Sequence, residues 1–331
     1  MKEDLTQYID NFSQQRIMVI GDIIADEFIV GRPERLSREA PVLILRRHNR
    51  QIKPGGAANA AYNICSLGGK VRLVGIVGKD SPAHLLREKL KAGGINIESI
   101  LVEKNRPTSL KTRILAGGDQ VVKQQVVRID HLDRKKINTS QEDRLLKEVM
   151  NNIDSIDGMI LSDYGNGLFT PRIKQSLIKI AKKNDKFVAV DSRYDLLNFK
   201  GATVATPNLE EAGRAVGREL ASHREVIEAG QEILELMDLK YLLLTRGSDG
   251  MTLFSSGGET VHIPVANFSE VYDVTGAGDT VIGTFCLALA SGAKAVDAMN
   301  MANFAAGIVV RKSGVAAVKP EELYKEVKDD E

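Results

Sequence analysis

Two hydrophobic periods alternate along this chain. Short, continuous apolar runs are followed by segments whose apolar positions recur at helical spacing, the pattern of strands and helices taking turns. Residues 4–15 place Leu5, Tyr8, Ile9 and Phe12 on one face of a surface helix. Residues 16–20 then read as a strand buried on both faces, ending in Gly21-Asp22. From Val71 the alternation is plain: strand over 72–77, helix over 83–92, strand over 97–102. It resumes after a polar helix near 141–152. Strands are predicted at 158–161, 187–190, 203–206 and 241–244, with a helix over 171–183. Closing helices are predicted over 294–312 and 321–327. This order predicts an α/β fold around a mainly parallel sheet.

Two regions break the rhythm. Apolar runs at 28–30 and 41–48 are separated only by the polar GRPERLSREA. Those at 108–115 and 121–129 flank Gly117-Gly118-Asp119, a hairpin signal. Together they predict a small β-sheet lid, built within about 27–50 and 105–130, over one edge of a single domain spanning 1–331. No repeat, low-complexity tract or Pro/Gly/Ser linker divides the chain. Lid strands expose edges that need cover, so a homodimer paired through the lid is expected. Lys111, Arg113 and Arg128 lie on these strands, either as solvated charges or as a clamp for a phosphate on the substrate.

The carboxyl ends of the predicted parallel strands are polar. The first delivers Asp22 and then Asp26, which reads as an acceptor for sugar hydroxyls or as a turn residue. Later strands end in Ser162-Asp163-Tyr164, Asp191-Ser192-Arg193, Pro207-Asn208-Leu209-Glu210-Glu211 and Thr245-Arg246-Gly247. Four such ends in succession predict a shared cleft. Asp191 or Glu211 suits Mg²⁺, which keeps several waters and takes few carboxylates. Glu210 and Glu211 also read as dipole partners in the first turn of a helix.

Two glycine-built helix starts carry the candidate chemistry. In KPGGAAN, Gly55 and Gly56 open a helix through Leu67, with Asn59 about one turn in, facing a substrate hydroxyl or the backbone of the loop. In VYDVTGAGDTVIGTFCLALA an extended segment breaks at Thr275-Gly276-Ala277-Gly278 before an apolar helix. Unpaired N–H groups and the helix dipole favour an anion there. Gly276, Ala277 and Gly278 are expected to hold charge developing on a phosphoryl group, with Asp279 taking a proton from the attacking hydroxyl. The alternative for Asp279 is a simple helix cap.

Composition narrows the classes. A net charge of +1 gives no electrostatic case for nucleic acid or membrane as a partner. Cys65 and Cys286 both fall in apolar helical patterns and are expected reduced. The N-terminus is acidic and amphipathic, and no apolar run approaches membrane-span length, so a cytoplasmic enzyme is expected. The five histidines are scattered without HExxH or CxxC, which argues against a structural zinc site. GAGDT lacks the third glycine of a dinucleotide fingerprint, and the Walker A pattern is absent.

With these pieces placed, the chain resembles the ribokinase-like (PfkB) carbohydrate kinases. GGAAN is similar to the family's N-terminal signature and DVTGAGDTVIG to its C-terminal one, in the same order and at about the same separation. More narrowly, GD-x3-D, RLSREAP, KPGGAAN, LSDY, TPNLEE and YDVTGAGDTVIG resemble the D-glycero-β-D-manno-heptose-7-phosphate kinases. The resemblance implies a three-layer α/β/α sandwich with a β-sheet lid, and ATP with Mg²⁺. It implies Asp279 as base with Gly276, Ala277 and Gly278 as anion hole. Asp26, Gly55, Gly56 and Asn59 would contact the sugar, with Asp22 and Asp163 on the same substrate side. Asn208, Leu209, Glu210 and Glu211 match the nucleotide and Mg²⁺ motif, with Arg193 nearby. Thr245 and Gly247 would line the phosphates and Asn303 the adenine. Asp273 and Thr275 fall where relatives bind a monovalent cation such as K⁺.

Departures from that group are Ser37-Arg38-Glu39-Ala40-Pro41 for SPEAP and Asp191-Ser192-Arg193 for DPK. Arg193 keeps a cation without being equivalent to lysine. Both bear on the sugar rather than on the transfer chemistry. The kinase-like region runs nearly to Glu331, so adenylyltransferase activity is expected on another polypeptide. Competing expectations are a kinase for another sugar, sugar phosphate or nucleoside, and a silent sugar-binding regulator, against which the retained Asp279 argues.

Overall fold

The computed structural model describes residues 5–117, 123–266, 273–312 and 316–329. In chain order the elements are α1 (Thr6–Asp10), β1 (Arg16–Gly21), β2 (Ile23–Leu36), β3 (Leu43–Gly56), α2 (Ala57–Ser66), β4 (Lys70–Gly78), α3 (Ser81–Ala92), β5 (Ile100–Glu103), β6 (Ser109–Ala116) and β7 (Gln124–His131). There follow α4 (Thr139–Asn152), β8 (Gly158–Asp163), α5 (Pro171–Lys183), β9 (Phe187–Ser192), β10 (Val204–Ala205), α6 (Leu209–Val216) and α7 (His223–Leu236). The chain closes with β11 (Tyr241–Thr245), β12 (Met251–Ser255), β13 (Thr260–Ile263), α8 (Ala277–Ala290), α9 (Ala295–Val310) and α10 (Pro320–Asp329).

Nine strands form the main sheet in the order β13-β12-β11-β10-β9-β8-β1-β4-β5. From β5 to β11 neighbours run parallel; β12 and β13 are antiparallel additions. Central β1 shows why the sheet is covered twice. Ile17 and Val19 point into a core shared with α2, α8 and α9, while Met18 and Ile20 point into a second core shared with α4, α5 and α7. Period-two alternation with both faces apolar requires helices on each side, hence three layers.

The helices start where local chemistry tells them to. Thr170 caps α5 by accepting from the Ile173 N–H, with Pro171 in the first turn and Lys182 and Lys183 in the last. Asn208 and Glu211 close a capping box on α6, which ends at Gly217 with φ +69°.

The second sheet has four strands, ordered β3-β2-β6-β7. β2 and β3 are longer than the short runs expected at 28–30 and 41–48: each has 14 residues, paired antiparallel with two register shifts. The polar positions interrupting those apolar runs lie on exposed stretches of the ribbon, where apolar pattern carries no signal. Gly55-Gly56 closes β3, and the helix begins at Ala57. The expected strand at 203–206 shortens to two residues. α7 and the β12–β13 hairpin were not anticipated. Gly118-Asp119 of the expected hairpin, residues 121–122 of its second strand and residues 271–272 of the glycine-rich segment lie outside the described residues.

β2 follows β1 after a single residue, so the small sheet grows from the carboxyl edge of the main sheet. Ile23, Ile24 and Ala25 are buried at that junction, and Asp26 comes next. Cys65 and Cys286 are free thiols. Among the described residues no helix is long and apolar enough to cross a membrane, and no group of three or more His, Cys, Asp or Glu side chains is arranged to hold a metal.

Candidate active site

A cleft of about 910 Å³ lies over the carboxyl ends of the parallel strands, bounded by both sheets and the start of α8. Such edges gather polar groups because each strand hands over to its helix there. α8 is entered through Gly276 at φ +84°; a Cβ there would lie 2.6 Å from Asn59 Nδ2. That backbone conformation and that closeness both demand glycine.

Asp279 sits in the first turn of α8 and is buried. Both its oxygens accept hydrogen bonds, Oδ2 from Asn59 Nδ2 at 2.7 Å and Oδ1 from the Tyr164 hydroxyl at 3.1 Å. Asn59 is itself held: Asn63 Nδ2 donates to its carbonyl oxygen at 2.9 Å, and Thr280 Oγ1 donates to Asn63 Oδ1 at 2.8 Å. Burial pushes the Asp279 carboxyl up to about 6; the donations from Asn59 and Tyr164 oppose the rise and the charge of Asp26 adds to it. A carboxylate tuned near neutrality suits a general base.

Asp26 faces the same cleft, paired with Arg113 Nη1 at 2.6 Å, both side chains nearly buried. Gly55 makes room for it, since a Cβ there would lie 2.4 Å from Asp26 Oδ2. Gly56 has φ +57°, and a Cβ would meet the Asp22 carbonyl oxygen at 2.4 Å. Asp163 lines the cleft and accepts from the Gly165 N–H at 3.0 Å and from Ser192 Oγ at 2.9 Å.

Asp22 is placed otherwise than expected. Its Oδ2 accepts from the backbone N–H groups of Tyr164 at 2.9 Å and Asn166 at 3.0 Å, so it holds that loop from beneath. Burial pushes its carboxyl up to about 6 against those two donors. The three cations of the small sheet all line the cleft but differ in their partners. Arg113 is committed to Asp26, and exposed Arg128 grips Asp130 through two bonds of 2.9 Å. Lys111 lines the cleft with its Nζ 5.3 Å from the Tyr164 ring centre and has no ion-pair partner among the described residues.

On the other side Asp191, Arg193, Asn208, Glu211, Thr245 and Gly247 line the cleft. Burial, then the charge of Glu211, holds the Asp191 carboxyl well above the usual carboxylate range. Asn303 lines it from α9, its amide donating to the Pro264 carbonyl at 2.8 Å. Leu209 and Glu210 turn elsewhere. Leu209 packs on the second core, and Glu210 pairs with Arg214 at 2.6 Å. They follow the helical period of α6, which directs Glu211 inward instead. Thr275 lines the cleft, while Asp273 accepts from the Thr275 N–H at 2.9 Å.

The model of the pfkB family carbohydrate kinases matches residues 14–322. The chain belongs to this family. It is 39% identical over 319 residues to the bifunctional protein HldE of Desulfatibacillum aliphaticivorans, covering 96% of this chain and 64% of that protein. It is 38% identical over 321 residues to bifunctional protein HldE of Pseudomonas aeruginosa (strain UCBPP-PA14), covering 97% and 65%. The chain thus spans somewhat less than two thirds of the length of these relatives. Arabidopsis thaliana ribokinase complexed with ribose and ATP superposes with a TM-score of 0.74 at 19% identity, over 95% of this chain and 99% of that one. Escherichia coli phosphofructokinase-2 in complex with substrates and products gives 0.77 at 18%, over 95% and 99%. These likenesses establish the ribokinase-like fold.

In this PfkB carbohydrate kinase the sequence reading gave no role to Tyr164 or Asn63, which hold Asp279 directly and through Asn59. Tyr164 was visible as the last residue of the polar strand end Ser162-Asp163-Tyr164 and of the LSDY motif, without a role of its own. Asn63 had a faint signal, four residues after Asn59 and hence on the same helix face.

Proposed function

We propose that this kinase transfers the γ-phosphoryl group of ATP to the anomeric hydroxyl of D-glycero-β-D-manno-heptose 7-phosphate, giving the 1,7-bisphosphate. The observation that carries the transfer chemistry is Asp279: a buried carboxylate in the first turn of α8, tuned near neutrality and held by two donors across the cleft from Asp26. The choice of heptose is supported by the likeness to the HldE proteins and by the heptose-kinase motifs quoted above. Lys111, a cation on the acceptor side with no ion-pair partner among the described residues, suits a substrate that already bears a phosphate.

In this mechanism the sugar lies against Asp26, Gly55 and Gly56 with its anomeric hydroxyl at Asp279. Asp279 accepts the hydroxyl proton as the oxygen bonds to the γ-phosphorus; the bond to the bridging oxygen breaks and ADP departs. The amides of Gly276 and Gly278 and the positive end of α8 hold the charge of the migrating group, whereas the expected third donor, the Ala277 N–H, is given to the Val274 carbonyl oxygen at 3.2 Å. The nucleotide lies across Asn208, Thr245 and Gly247, with its adenine toward Asn303. Asp191 and Glu211 supply two carboxylates, and among the described residues no group of three or more metal-ligating side chains forms, which fits Mg²⁺ keeping several waters. Bound there, Mg²⁺ would neutralise phosphate charge. Asp273 and Thr275 are assigned to K⁺. The small sheet acts as a lid that excludes water, which otherwise competes as acceptor.

Val126, Val127 and Ile129 are exposed on edge strand β7, and we assign them to lid-to-lid pairing in a homodimer. We place the enzyme in the cytoplasm, where ATP is available. Screening phosphorylated heptoses, hexose phosphates, free sugars and nucleosides by coupled ADP release tests the substrate. The heptose 7-phosphate should give the highest kcat/KM. An unphosphorylated sugar or a nucleoside turned over about tenfold better, a gap of ~1.4 kcal/mol in the transition state, would overturn the assignment.

A further inference from the structure

Tyr164 is held at three points. Its backbone N–H is fixed to Asp22 at 2.9 Å. Its hydroxyl reaches Asp279 Oδ1 at 3.1 Å, the oxygen that Asn59 leaves free. Its ring is met by two cations from different elements: Lys111 of β6, with Nζ 5.3 Å from the ring centre, and Arg193 after β9, with its guanidinium carbon at 5.0 Å. Contacts of this length are cation–π attractions, each stronger where water is excluded.

The two cations belong to opposite sides of the cleft. The carboxylates acting on Lys111 are Asp26 and Asp130, both on the small sheet. Those acting on Arg193 are Glu211 and Asp191, on the nucleotide side. Tyr164 therefore stands where acceptor side, donor side and base meet. A phenylalanine would fill the same space and keep both cation contacts, so packing does not account for the hydroxyl.

We propose that Tyr164 is a positioning residue for the transfer: its hydroxyl sets the orientation of the Asp279 carboxylate, and the Lys111–Tyr164–Arg193 stack sets the orientation of Tyr164. The proposal rests on Asp279 being the base. Through the reaction the tyrosine proton stays on its own oxygen, while Asp279 alone gains the acceptor's proton. Burial, and then the charge of Asp279, hold the Tyr164 hydroxyl well above its ordinary range, in keeping with a permanent donor.

Two measurements test this on the intact enzyme. The first is the pH dependence of kcat for wild type, Tyr164→Phe, Tyr164→Leu and Asp279→Asn, with ATP and D-glycero-β-D-manno-heptose 7-phosphate. The second needs no substrate: carboxyl NMR of enzyme carrying ¹³C-labelled aspartate, with Asp279→Asn assigning the signal. A lost donor favours the neutral carboxyl, so in Tyr164→Phe the Asp279 midpoint and the acid limb of kcat should both move up by roughly half to one pH unit. The rate near pH 6.5 should fall about two- to threefold, more at lower pH, and recover near pH 8.5, with both KM values within about twofold of wild type. Tyr164→Leu, which also removes the ring, should raise both KM values several-fold. A midpoint and an acid limb unmoved in Tyr164→Phe overturn the proposal, even where Asp279→Asn is inactive. Near-wild-type turnover of Asp279→Asn removes the base itself, and the proposal with it.

Discussion

Asn59 Nδ2 and Asp279 Oδ2 lie 2.7 Å apart, a bond between residues 220 positions apart in the chain. It ties the first turns of α2 and α8 together, so the two glycine-built helix starts form one device. The glycines make the contact possible, because a side chain at Gly276 would occupy the space of the Asn59 amide. Asn59→Asp keeps the shape but sets a second carboxylate against Asp279, the proposed base. The like charge should move the acid limb of kcat upward and lower the rate near pH 7 by about tenfold or more. A pH–rate profile with an unmoved acid limb would contradict this.

Asp279→Asn should lower kcat by roughly 10²–10⁴, the range for loss of a general base. It should also change stability in a direction that depends on pH. The folded-state value, about 6, is above the ordinary value of 3.8. Below the lower value both states carry the proton, and between the two values the folded state binds more protons. Asp279 therefore costs stability as pH rises through that window, and the cost persists above it. The substitution should raise the midpoint of thermal unfolding near pH 8, by an amount equivalent to roughly 1–3 kcal/mol, and do less near pH 4. Calorimetry at the two pH values separates these outcomes, and equal shifts at both would refute the sign.

Gly55→Ala acts through Asp26. The added methyl would lie 2.4 Å from Asp26 Oδ2 and displace that carboxylate from the cleft. With Asp26 on the acceptor side as proposed, the acceptor KM should rise about 10-fold or more while the ATP KM stays within about twofold. A selective rise in the ATP KM would mean that Asp26 does not face the acceptor.

The cations of the small sheet give a graded series. Lys111→Met should raise the KM for a phosphorylated sugar by roughly 10-fold, the loss of one charge-assisted contact. Arg128→Met should change it by no more than about twofold, because Arg128 is exposed and already grips Asp130. Steady-state kinetics on both variants decides the matter; the reverse order would move the phosphate subsite outward along β7.

Assembly can be tested at β7. Ile129 is 56% exposed on this edge strand. Ile129→Asp places an unpaired charge in the proposed lid-to-lid contact and should convert a dimer to a monomer at about 10 μM by light scattering. A wild-type monomer under the same conditions would remove the dimer.

The alternating apolar runs were enough to predict the parallel sheet and its covering helices apart from α7, because burial on both faces writes a continuous signal into each strand. Helix starts at Ala57, Leu209 and Ala277 were legible for the same local reason: glycines and capping side chains act within a turn or two of their own position. Distances between remote groups were not legible. Asn59 was expected to meet a sugar or a loop, and Asp22 the substrate; folding gave Asn59 to Asp279 and Asp22 to the backbone of Tyr164 and Asn166. Lys111, Arg113 and Arg128 look alike in sequence: Arg113 reaches Asp26 only because β6 pairs with β2, Arg128 grips Asp130 two residues along its own strand, and Lys111, which the register sets between Asp26 and Asp130, has no ion-pair partner among the described residues. Hydrophobic period and turn chemistry are properties of neighbours along the chain. Hydrogen bonds, ion pairs and the burial that tunes a carboxyl depend on which neighbours the fold brings together from far away.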